Sequence, residues 1–156
     1  MDLCKSTSFD LMSLFLSAAA HDVDHPGNNN FYEIKTRSKL ATLYNDIAVL
    51  ESHHAATFYF MLEDDQCNIF EKLTTEEFNR MRKFILDNIL YTDMAKHFGF
   101  VGELKSLPNK DDFDPVVKHK PDIMKALVHA ADIGNPSRPY DICKLWTFRI
   151  LSEFFA

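Results

Sequence analysis

Glycine and proline are scarce in this 156-residue chain, at 4 and 6 residues, whereas an average sequence devotes roughly 12% to the two together. Sandwiches and barrels of many strands need these residues at every hairpin, so their scarcity excludes such folds and leaves an all-helical domain. Basic residues are the minority charge, 17 against 23 acidic for a net of −6. That balance argues against nucleic acid as a partner and suits a site that gathers carboxylates around a cation. The three cysteines, Cys4, Cys67 and Cys143, stand far apart with no CxxC pair. Such spacing excludes a disulfide framework or zinc ribbon and fits reduced thiols in the cytoplasm. No apolar run reaches the roughly 20 residues that span a bilayer, so no membrane insertion is expected from this segment. The longest candidate, Leu11 to Ala20, resembles a signal-peptide core, but Asp2 and Asp10 accompany only Lys5, so the positive flank is missing. A fully buried core helix accounts for it.

What is present is helical periodicity. Hydrophobic residues make up 46% of the chain, enough at this length for one core that buries about two-thirds of the unfolded surface. Ile47, Leu50, Phe58, Met61 and Leu62 follow i, i+3, i+4 spacing, as do Phe78, Met81, Phe84, Ile85 and Ile89. The spacing predicts amphipathic helices over Val49–Leu62 and, as one long element, Thr75 to about Leu104. A third is predicted from Pro121 to the stop at Gly134-Asn135-Pro136, and a fourth from Pro139 through Trp146, Ile150 and Phe154. Ser106 to Pro121, with three prolines and mixed charge, reads as a linker. The pattern begins only a few residues before a core helix and stops at Phe155-Ala156 in mid-helix. The expectation is therefore one domain, residues 1–156, cut at both ends.

Chemistry concentrates in a few places. His21-Asp22-Val23-Asp24-His25 sets four metal-capable side chains in five residues before Pro26-Gly27, at the end of a helix. A helix C-terminus carries partial negative charge, so carboxylates there are disfavoured unless a cation compensates. Asp132 repeats the arrangement at the end of Val128-His129-Ala130-Ala131-Asp132. Two acidic helix ends in an apolar protein are most simply reconciled if both point at one divalent metal. Imidazole with carboxylate suits zinc, iron or manganese, and oxygen ligands suit magnesium or manganese. Solvated loop carboxylates and surface histidines are the competing reading, and these residues alone leave both open. Glu51, His53 and His54 share one predicted turn, as do Asp93 and His97 with Thr92 beside them; taken alone, the first reads as an ordinary solvated face and the second as a satisfied i, i+4 pair.

In order, HDVDHPGNNN, LATLYND, VLESHH, TDMAKH and HAADIGNP, followed by Trp146, closely resemble the class I 3′,5′-cyclic nucleotide phosphodiesterase catalytic domain over Ala18 to Phe155. The resemblance implies a compact all-α, multi-helix bundle of which this chain is a central fragment. It implies metal-dependent hydrolysis of cAMP or cGMP to the 5′-monophosphate in signal transduction, with a small-molecule cyclic nucleotide as partner. By the same resemblance His21, Asp22 and Asp132 hold zinc at the tighter site, and Asp22 also reaches a second ion, magnesium or manganese. His25, Glu51 and Thr92 hold waters on that second ion. Asn30 falls at a polar position near the metals, Asn135 and Ile150 line the purine pocket, and Trp146 is a packing residue. The family's general-acid histidine and fourth zinc ligand belong to an HNxxHAxDV-type motif upstream of HDxDHPG, and Met1 to Ala20 contains none. The glutamine and phenylalanine that grip the purine fall beyond Ala156. Inactivity of the chain by itself is the expectation, with purine preference, general acid and oligomeric state left open. Gly134 stands where many relatives carry Ser, a change expected to loosen the helix stop. Two other readings remain: a non-catalytic regulatory remnant, and an HD-type metal phosphohydrolase acting on other phosphate esters.

Overall fold

The structure, a computed structural model, describes residues 7–155; Cys4 lies outside them. Among the described residues the chain forms eight α-helices: α1 (Ser8–Ala20), α2 (Asn30–Lys35), α3 (Lys39–Leu43), α4 (Val49–Met61), α5 (Thr75–Leu90), α6 (His97–Ser106), α7 (Lys120–Asp132) and α8 (Tyr140–Phe154). Local chemistry sets their starts. Thr7 and Asp10 form a capping box on α1, the Asp10 N–H donating to Thr7 Oγ1 at 3.2 Å and the Thr7 N–H to the Asp10 carboxylate at 2.9 Å. Thr74 and Glu77 repeat it on α5. Asn29 and Ser38 cap α2 and α3, two short helices that periodicity does not reveal because each is under two turns.

Helix α5 lies at the centre, packed against α1, α4 and α7. Its Met81, Ile85 and Ile89, spaced four apart, are fully buried and join Ala20, Ala55 and Phe70 in the core. Each such large apolar side chain contributes about 1.5–3 kcal/mol by leaving water.

Two expectations are corrected here. Helix α1 is not a fully buried apolar helix: Leu11, Met12 and Phe15 are exposed, while Asp10, Ser13, Ser17 and Ala20 face inward. The reason is close packing of small and polar groups whose hydrogen bonds are met inside. Ser13 and Ser17 donate to the carbonyls of Asp10 and Ser13, and Asn88 of α5 donates to Ser17 Oγ at 3.0 Å. The single long helix from Thr75 to Leu104 is also not formed. It stops at Leu90, passes through a 3₁₀ turn at Met94–Lys96 and restarts at His97. Asp93 causes the break, because its carboxylate caps the Ala95 N–H at 2.9 Å and so starts a new element instead of continuing the old one.

Segment 106–121 is more than a linker. It holds a 3₁₀ turn at Leu107–Asn109 and buries Leu107 and His119. Helix α8 packs chiefly against the 3₁₀ turn Asn135–Ser137 and buries no residue, so Trp146, Phe148 and Phe154 are more than half exposed. No helix among the described residues is long and apolar enough to cross a membrane.

Helices α1 and α7 are tied at both ends. At their starts Lys120 Nζ donates to Asp10 Oδ2 at 2.7 Å, with Arg80 3.7 Å from the other oxygen. Burial works to raise the Asp10 pKa, but the Lys120 bond and those from Thr7 bring it below the ordinary carboxylate value. That contribution is present above pH 3.8 and fades as pH falls through the lowered value. Lys120→Met strands a carboxylate that is 2% exposed. The expected loss is about 3 kcal/mol, the low end for breaking a buried pair because Lys120 keeps some water contact. Urea unfolding at pH 7 measures it, and the gap between variant and parent should narrow toward pH 3.

Candidate metal centre

The other ends of α1 and α7 form the site. Helix α1 runs out at Ala20 and its capping residue is His21; α7 runs out at Asp132. The His21 Nδ1–H donates to the Ala18 carbonyl at 2.8 Å, which fixes the tautomer and aims Nε2 outward. That Nε2 lies 3.2 Å from Asp132 Oδ1, across 111 residues of chain, and 3.4 Å from Asp22 Oδ2. The hydrogen bond to Asp132 pushes the His21 pKa up to about 9, against burial, with the Ala18 bond and the Asp22 charge adding to the rise. Without a metal, the imidazolium is thus the positive charge that two negative helix ends demand.

A second group adjoins the first through Asp22. His54 is buried on α4, its Nδ1–H donating to the Val23 carbonyl at 2.7 Å and its Nε2 3.8 Å from Asp22 Oδ1. Burial holds its pKa below the ordinary histidine value, leaving a neutral imidazole with a lone pair toward Asp22. The His25 ring stacks on His54 at 5.5 Å, and its Nδ1 accepts the Gly27 N–H at 3.0 Å. Gly27 has φ +84°, which only glycine adopts freely. His53 points elsewhere, to Asp24 Oδ2 at 2.9 Å, with Asp24 itself left-handed at φ 60°.

Within His21, Asp22 and Asp132, and again within Asp22, His25 and His54, one ligand atom from each residue lies within 4.8 Å of the others. Nitrogen and oxygen donors at that spacing fit a divalent cation of zinc or manganese type. The sequence signal for His54 is the doubled histidine of VLESHH, and only the fold decides which of the two turns inward.

The remaining residues stand around these groups in different ways. Glu51 lies outside both, and Asn30 Nδ2 donates to its two oxygens at 2.9 and 3.2 Å. Asn30 Oδ1 accepts the Leu50 N–H, so Asn30 braces Glu51 and α4. Burial raises the Glu51 pKa, opposed by Asn30 and reinforced by the charge of Asp93. Thr92 is buried and its hydroxyl donates to the Ile89 carbonyl at 2.7 Å. Asp93 does not pair with His97; the helix break turns His97 toward His129 instead. Asn135 and Ile150 line the same cleft as His21, Asp22, His25 and Asp132, a cavity of about 950 Å³. Asn135 Nδ2 donates to the Cys143 carbonyl at 3.2 Å while its Oδ1 is buried without a partner. Trp146, expected as a packing residue, also faces the cleft, under the Arg149 guanidinium 5.4 Å away. Gly134 keeps the helix stop tight: its N–H donates to the Ala131 carbonyl, and a Cβ there would meet that oxygen at 2.9 Å.

Metal binding at His21 must displace a proton, which gives a sign to the pH dependence. In the metal-free chain the His21 pair contributes stability below pH 6.5 that is lost as pH rises through about 9. Zinc affinity runs the other way. It should rise about tenfold per pH unit between pH 7 and 9 and then level off. Calorimetry in buffers of different ionisation enthalpy should count one proton released at pH 7, and His21→Gln should abolish that release.

Comparison with known proteins places the chain in a family. Residues 3–156 match the 3′5′-cyclic nucleotide phosphodiesterase family. The chain is 35% identical over 160 residues to the 3′,5′-cyclic-AMP phosphodiesterase 4C of Rattus norvegicus, covering 96% of this chain and 29% of that protein. The Mus musculus protein of the same name is also 35% identical, with 96% and 23% covered. Among solved structures, the phosphodiesterase domain of Salpingoeca rosetta rhodopsin phosphodiesterase superposes with a TM-score of 0.88 at 34% identity, covering 95% of this chain and 46% of that one. A second structure, from the RhoPDE fusion protein of the same choanoflagellate, gives 0.89 at 34% identity over 96% and 48%. The chain thus spans less than a third of the curated relatives and about half of the solved domains. Its all-helical fold is theirs, and the chain belongs to the 3′5′-cyclic nucleotide phosphodiesterase family.

Proposed function

We propose that residues 1–156 carry the metal-binding core of a 3′,5′-cyclic nucleotide phosphodiesterase domain, which hydrolyses its substrate to the 5′-monophosphate in the cytoplasm. The observation that carries this reading is the meeting of His21 and Asp22 with Asp132 from two helix ends, in a chain of this family. His21, Asp22 and Asp132 would hold a zinc ion; Asp22 would also reach a second ion, magnesium or manganese, with His25 on a water of that ion. Such ions polarise phosphoryl oxygens and make water a nucleophile near neutral pH. The protein's own groups do the rest. Glu51, braced by Asn30, and Thr92 order waters at the second ion. Asn135 and the apolar Ile150, both on the wall of the cleft, would line the purine pocket. The two curated relatives are named cyclic-AMP phosphodiesterases, which favours cAMP. Free Cys67 and Cys143 suit a reducing compartment.

By the family motif, the histidine that protonates the departing O3′ precedes HDVDHPG, and the histidines within this chain are committed elsewhere. His53 pairs with Asp24, His54 with Val23 and His97 with His129. Loss of general acid catalysis costs about 10² to 10⁴ in rate. The 156-residue chain, supplied with zinc and magnesium, should therefore release no measurable 5′-AMP or 5′-GMP. Grafted in place of the matching segment of the Salpingoeca domain it should support turnover, and Asp132→Ala in that chimera should abolish it. A folded chimera that hydrolyses cAMP equally well with Asp132→Ala would refute the reading.

A further inference from the structure

Two buried histidines, His119 and His129, belong to neither ligand group, and the second lies beside Asp132. His129 is 4% exposed in the last turn of α7, one turn before Asp132, and its Nε2 lies 2.8 Å from Nδ1 of His97, the first residue of α6. The rings sit 5.2 Å apart, with Phe98 edge-on to His97 and Phe100 edge-on to His129. The other nitrogen of His129, Nδ1, is buried with no partner.

These facts fix the protons. Two imidazole nitrogens at 2.8 Å must be one N–H and one lone pair. Burial, and then the neighbouring His97, hold His129 below the ordinary histidine pKa, so it is neutral and has a single N–H. On Nδ1 that hydrogen would be a buried donor without an acceptor, the rarer and costlier kind of orphan. On Nε2 it meets His97. His129 Nε2–H therefore donates to His97 Nδ1, and His97 carries its own proton on Nε2.

We propose that His129 and His97 are positioning residues: their single N–H···N bond pins the final turn of α7 to the start of α6 and so holds Asp132 where it meets His21. Ordinary core packing does not require it, since a phenylalanine at 97 fits an aromatic cluster as well as a histidine. The surroundings call for a clasp at this point. Helix α8, which follows, buries no residue, and the break between α5 and α6 turns His97 inward to supply one. The inference rests on Asp132 being a cation ligand, as proposed above.

The test uses ¹⁵N-histidine-labelled chain and zinc alone as the probe. Nuclear magnetic resonance should detect ¹⁵N–¹⁵N coupling across the hydrogen bond between His129 and His97, with both rings protonated on Nε2. His97→Asn places an amide oxygen near the position of Nδ1 and should keep zinc affinity within about twofold. His97→Phe keeps the packing but loses the bond, and should weaken zinc about fivefold, the equivalent of one neutral hydrogen bond. Absence of the coupling in the parent chain, or equal zinc affinity in the Asn and Phe variants, overturns the proposal, and the coupling alone decides it if a variant fails to fold. Asp132→Ala separates the two ideas: unchanged zinc affinity there refutes the cation site itself, whatever the state of the His97–His129 bond.

Discussion

Two parallel helices that end side by side in carboxylates need a positive charge between them, and this requirement organises the rest of the structure. Helices α1 and α7 each have 13 residues and are joined at their starts by Asp10 and Lys120, and at their ends by His21 and Asp132. Running in the same direction, they bring two negative dipole ends together instead of cancelling them. Asp22 and Asp132 add full charges at the worst place. A protonated His21 meets that need in the metal-free chain, and in the proposed function a divalent cation takes over that role. The same arrangement thus explains the raised histidine pKa and the ligand set.

The remaining architecture serves to hold those two ends. Helix α5 supplies the apolar centre through Met81, Ile85 and Ile89. The inward face of α1 is narrow and polar, so Ser17 and Asn88 fix its rotation by hydrogen bonds that an apolar face, free to slide, lacks. Rotation matters because His21 and Asp22 lie just past the end of that helix. Burial of His54 under Val23, and of Glu51 against Asn30, places the α4 groups around the same point.

Much of this was legible in the sequence. Low glycine and proline content and i, i+4 spacing gave the helical class and α4, and the boundaries of α7 and α8 follow from Pro121, Gly134 and Pro139. The acidic helix ends drew attention to Asp22 and Asp132 together, because a carboxylate at a helix C-terminus has to be explained, and the family resemblance added His21 to them. Other features depend on tertiary choices that periodicity does not encode. The apolar run Leu11 to Ala20 reads as a fully buried helix, yet Leu11, Met12 and Phe15 are exposed and serines that satisfy their own hydroxyls pack inward. Apolar spacing runs unbroken from Phe78 to Leu104, and it takes the capping carboxylate of Asp93 to interrupt the helix. Which histidine of His53-His54 turns toward Asp22 depends on where the Val23 carbonyl lies.

The most direct test of the account is a crystal structure of the chain grown with zinc, with data at the zinc absorption edge to locate the metal. One zinc should lie within about 2.0–2.2 Å of His21 Nε2 and of a carboxylate oxygen from each of Asp22 and Asp132. His21 Nδ1 should still be bonded to the Ala18 carbonyl. A zinc ion bound elsewhere, with His21 still paired directly to Asp132, would contradict it.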